Sequence, residues 1–200
     1  MAKIPGEAIV SVPIGKMDVV GGHLATIIQL IALEFNPLST HLLVMASNQL
    51  IMDVARKRQV ALEWDHKIWI KEEHHKDYVN LVNKAYNYFK HADRDADLAY
   101  SGPAVAEIVK LNECKTLLAI KGHKLLGGEQ TQAFNIYIAF MTMRYPAYFN
   151  LDFLEAVPGL REAHKNVSLH RGVQLIALRD ALFREGFLNR VPDIESRAIR

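Results

Sequence analysis

The residues best suited to chemistry in this chain lie in one stretch, N-K-A-Y-N-Y-F-K-H-A-D-R-D-A-D, residues 83–97. Asn87 and His91 stand four residues apart, so on a helix they project from one face, one turn above the other. Beyond them Asp93, Asp95 and Asp97 alternate, which puts one imidazole and three carboxylates within seven residues. Such nitrogen and oxygen donors suit zinc, manganese or iron. His91, Asp93 and Asp95 are therefore the candidate metal ligands, and a divalent metal is the cofactor to test for. The D-x-D-x-D spacing also matches the opening of an EF-hand loop. Its obligatory glycine and bidentate glutamate are replaced by Leu98 and Ala104, which excludes calcium binding of that kind. The plainer alternative is a solvated acidic turn in which Asp93 or Asp95 caps the following segment.

A second imidazole and amide share another helix. His41 opens it and Asn48 follows two turns later, so His41, Asn48, Asn87 and His91 form the candidate ligand-binding set if the two helices pack together. Other chemistries have no signature. There is no H-E-x-x-H, no G-x-S-x-G elbow, no phosphate-cradling glycine loop and no dinucleotide fingerprint. Cys114 lies mid-helix between Glu113 and Lys115 and reads as a buried or half-buried structural thiol. Gly127-Gly128 could seat an anion at a helix start, but Glu129 opposes that, and an interhelical turn is the better reading.

The totals are those of a globular domain: 200 residues, 50% apolar and 23% charged. A formal charge of +2 gives no ground for a nucleic-acid partner, which needs a concentrated basic face. One cysteine allows no internal disulfide and suits a reducing cytoplasm. The N-terminus lacks a signal-peptide pattern, and the longest apolar stretch, 24–35, is too short to span a bilayer, so no membrane is expected.

The elements that must position these residues are helical throughout. Residues 1–17, with Pro5, Gly6, Pro13 and Gly15, read as an extended arm. Asp18 would cap a first helix over 18–35, with Leu24, Ile27, Ile28, Ile31 and Leu33 inward, ended by Asn36-Pro37. Ser39 or Thr40 would cap a second over 41–58, with Leu42, Leu43, Ala46, Leu50 and Val54 as its core face. Arg56, Lys57 and Arg58 close it where the dipole favours cations. Further helices are expected at 73–91, at 103–121 with Val105, Ile108, Val109 and Leu117 inward, at 129–143, around 151–157 and at 173–186. The helix at 129–143 is apolar on most faces, which places it either at the centre of the bundle or in a subunit interface. The expectation is all-α: an irregular bundle of about six to seven helices, one domain over 18–188 and a frayed tail over 189–200.

The stretch S-T-H-L-L-V-M-A-S-N-Q-L-I, followed about forty residues later by Y-N-Y-F-K-H-A-D-R-D-A-D, resembles a group of uncharacterised bacterial all-helical proteins with an N-[FY]-F-K-H-A-D-x-D motif. More distantly, N-x-x-x-H at the end of a bundle helix is similar to HEPN-type domains, whose motif sets an arginine shortly before a histidine. Here Lys84 holds that place before His91, so the resemblance implies a nucleic-acid-associated relative without the catalytic arginine. The leading functional reading is an all-α protein acting through self-association, as a homo-oligomer, or through a protein partner. The alternative is a ligand-binding, metal-binding or hydrolytic site around His41, Asn87 and His91.

Overall fold

The computed structural model of the chain describes residues 14–62, 72–74, 76, 83–84, 86–88, 90, 102–145 and 171–188. Among them are five α-helices and one short 3-10 turn, with no strand, so the all-α expectation holds. The helices are α1 (Lys16–Ala32), α2 (Pro37–Arg58), α3 (Val105–Leu125), α4 (Gln132–Arg144) and α5 (Arg171–Arg184), with the 3-10 turn at Glu72–His74. No helix among the described residues is long and apolar enough to cross a membrane.

α1 buries Val20, Leu24, Ile27, Ile28 and Ile31, the stripe its spacing implies. It begins two residues before Asp18. That aspartate sits inside the first turn and accepts the Gly15 amide at 2.8 Å, half of a capping box. Asn36-Pro37 ends nothing; it starts α2. Asn36 Oδ1 accepts the Leu38 and Ser39 amides at 2.9 and 3.1 Å, and Pro37 fills the first helical position.

The core face of α2 is turned by about one residue from the expected one. His41, Val44, Ile51 and Ala55 are buried, whereas Leu42, Leu43, Ala46 and Leu50 are only half-buried. The rotation follows from packing α2 between α1 and α3, because α3 presents polar partners that a stripe of leucines could not use. α3 itself buries Asn112, Glu113, Thr116 and His123 beside Ile108 and Ile120. Val105, expected inward, is exposed. Cys114 is exposed too, since Glu113 takes the inward position beside it.

α2 and α3 run parallel. His41 meets Asn112, the Asn48 side chain reaches the Lys115 carbonyl at 3.3 Å, and Arg58 Nη1 donates to the Leu126 carbonyl at 2.6 Å. The basic end of α2 therefore caps its neighbour's C-terminus. His123 Nε2 donates to the Met17 carbonyl at 2.9 Å and stacks edge-on against Phe134. A Cβ at Gly128 would lie 2.2 Å from that imidazole, so the turn after α3 must be glycine there. α4 packs against α1, α3 and α5, and only Gln132 and Asn135 along it are exposed.

Candidate functional site

Two chain segments besides its own helix reach the carboxylate of Glu113, whose side chain is 1% exposed. From the start of α5, Arg171 gives Nε and Nη2 to Glu113 Oε1 at 3.2 and 3.1 Å. From the end of α4, Tyr145 donates its hydroxyl to Oε2 at 2.6 Å, and Arg144 Nε stands 3.7 Å from the same oxygen. Tyr137, fully buried on α4, donates to the Glu113 carbonyl at 3.0 Å. From the end of α1, Glu34 Oε1 takes the outward Nη1 of Arg171 at 2.7 Å. A carboxylate this deep is tolerable only with its lone pairs occupied by charged or polar donors, and here they are.

The network opens into a cavity of about 30 Å3 lined by Glu34, Thr40, Asn112, Glu113 and Arg171 on its polar side. Leu30, Ile31, Phe35, Pro37 and Val109 form the apolar side. That space holds a functional group, not a whole drug-sized molecule. Arg171 is 30% exposed and Glu34 52% exposed, so their ion pair stands at the mouth over the buried carboxylate.

Asn112 joins the cavity to His41. Its amide nitrogen donates to the Pro37 carbonyl at 2.8 Å, which leaves its oxygen as the acceptor facing His41 Nδ1 at 2.7 Å. The His41 hydrogen therefore sits on Nδ1, and Nε2 carries a lone pair. The ring is completely buried and Nε2 has no partner among the described residues. Burial holds the His41 pKa below its ordinary value; the Asn112 hydrogen bond opposes this and the charge of Lys115 adds to it. Burial likewise lowers the Lys115 ammonium. Tyr145 is pushed well up by burial, by its hydrogen bond to Glu113 and by that group's charge, so its hydroxyl keeps the proton it donates. Although part of the Cys114 side chain reaches the surface, partial desolvation and then the Glu113 charge raise its thiol above the ordinary value.

The expected site residues fall apart in these terms. His41 is placed as a buried, oriented imidazole. Asn48 is half-buried and donates to the Val44 and Lys115 carbonyls, clamping α2 to α3. Asn87 is helical and exposed. His91, Asp93 and Asp95 lie outside the described residues, as do the tail and residues 1–13 of the arm expected over 1–17, whose last two residues open α1. Among the described residues no three histidine, cysteine or acidic side chains are grouped to hold a metal ion. Glu113, Asn112 and Arg171 were not singled out from the sequence. The signal for Glu113 was present: Val109, Glu113, Thr116 and Ile120 follow one helical stripe, and a carboxylate interrupts it.

Removing the carboxylate would strand Arg171 and Arg144, so Glu113→Ala should lose about 3 kcal/mol of stability in chemical denaturation. His41 adds a pH dependence. Its folded pKa lies below the unfolded value of about 6.5, so the unfolded chain takes up protons first as pH falls. Its contribution is complete above that value and is lost below it. The melting temperature should therefore drop between about pH 7 and pH 5, and His41→Gln should flatten that slope.

Comparison of the chain with protein-family models, with curated proteins and with solved structures finds no match.

Proposed function

We propose that the chain is a ligand-binding helical domain whose site is the cavity where α1 ends, α2 begins, and α3 and α5 meet. The observation that carries this reading is the half-buried Arg171 held over a fully buried Glu113 at the mouth of a partly apolar cavity. A structural ion pair has no need of a cavity. A recognition site needs an apolar wall with a few convergent polar groups fixed by their surroundings, and both are there. Asn112 lines the cavity and is fixed from behind by His41 and Pro37, so His41 acts as a support for the site. Among the described residues lining the cavity no nucleophile is activated, and the reading is one of binding without chemistry.

The methyl groups of Leu30, Ile31 and Val109 report on this space directly. Titrating a set of small acidic, neutral and basic compounds into the full chain should move these methyl resonances with at least one of them. Val109→Phe, which fills the wall, should abolish the effect while the other helices keep their spectra. If no compound of any charge moves them, the reading fails.

A second reading is association between copies of the chain through α5. Val173 and Ile176, three residues apart on α5, are each 50% exposed and form an apolar patch at the surface. Sedimentation over a wide concentration range should show a dimer that Ile176→Lys disperses. A monomer throughout would dismiss this reading and leave the first intact.

A further inference from the structure

Four helices end in the same turn, in which the residue after the cap adopts a left-handed conformation and two amides fold back on the last carbonyls. At the end of α1 the Phe35 amide reaches the Leu30 carbonyl at 2.9 Å and the Glu34 amide reaches Ile31 at 3.1 Å. The ends of α3 and α5 repeat the pattern with Gly127 (φ 82°) and Gly186 (φ 76°) in the left-handed position, the residue type that fits it without strain. α2 has Gln59 there (φ 57°), fully at the surface, and α1 has Glu34 (φ 52°). A side chain at such a φ is strained where glycine is not. Of the two exceptions, Glu34 lines the cavity described above.

The other half of the argument is charge. Around the cavity, Arg171 and Arg144 balance Glu113 and Glu34. Glu113 is locked inside, whereas Glu34 holds Arg171 by one contact that faces water. Turned away, it would leave Arg171 Nη1 open, with one positive charge in excess. Beside Arg171 the wall is apolar, and Phe35, 58% exposed, extends it outwards.

We propose that the ligand of this cavity is a carboxylate on a small apolar body, bound by Arg171 Nη1 in competition with the carboxylate of Glu34. The inference rests on the cavity being a binding site and names its ligand class. Glu34 is the intramolecular occupant of the guanidinium face, set there by a backbone turn that would be less strained with glycine. The ligand's carboxylate replaces it ion for ion, and its apolar body covers the Phe35 ring.

The test uses benzoate, its uncharged analogue benzamide and the cation benzylamine, each titrated into the full chain while the Leu30, Ile31 and Val109 methyl groups are followed. Benzoate should bind best. Glu34→Gln, which keeps the backbone and removes the competing charge, should tighten benzoate roughly fivefold or more. Glu34→Gly should do the same with an unchanged or higher melting temperature, because glycine relieves the left-handed residue. Benzamide and benzylamine should gain nothing from either change. Binding of benzylamine or benzamide at these methyls as tight as that of benzoate would overturn the inference, as would benzoate binding that is indifferent to Glu34→Gln. Either result would leave the cavity as a binding site for another class. Silence of the methyls towards all three compounds, in the native chain and in both variants, would overturn the inference and the binding reading together.

Discussion

A carboxylate taken out of water costs several kcal/mol unless its oxygens are met by donors, and the arrangement of Glu113 shows where those donors come from. Arg171 opens α5, Tyr145 and Arg144 close α4, and Glu113 sits mid-way along α3. Each partner lies dozens of residues away in the chain, so the charge is satisfied only when three helices have their native spacing. Apolar contacts would tolerate a slip of one residue more easily than this pair of oxygens does. The buried ion pair adds little to net stability and much to register, and it sets the position of the cavity beside it.

The polar residues of α3 extend the same logic towards α2. Asn112 faces two ways, towards His41 and towards the cavity, and its orientation follows from the one carbonyl its amide can reach. His41 is thereby held as a neutral ring with its hydrogen on the inner nitrogen. The same seam accounts for the rotated face of α2: a helix offered an amide partner buries its histidine ahead of its leucines.

What could be read from the sequence divides along the same line. The apolar stripe of α1 and the broadly buried faces of α4 were legible because they depend on periodicity within one segment. The starts of α1 and α2 were misplaced because capping is decided by a single side chain: Asn36 competes with Ser39 and Thr40, and the geometry favours the residue whose oxygen meets two amides. His41 was identified from its type and position, whereas its true partner, Asn112, lies 71 residues away and leaves no local trace. Arg171 had no local signal, since nothing near it announces a carboxylate 58 residues earlier.

The parallel course of α2 and α3 also bears on how the chain reaches this structure. Two helices running the same way cannot be joined by a tight turn, and here residues 59–104 intervene between them. α1 and α2, separated by four residues, can collapse as a hairpin on the timescale of local loop closure. Docking of α3, and with it burial of the Glu113 charge, requires closing a much longer loop before any contact compensates for the lost chain entropy. The expected order is an early α1–α2 pair and a late, rate-limiting arrival of α3. The cavity is then the last part of the molecule to take shape.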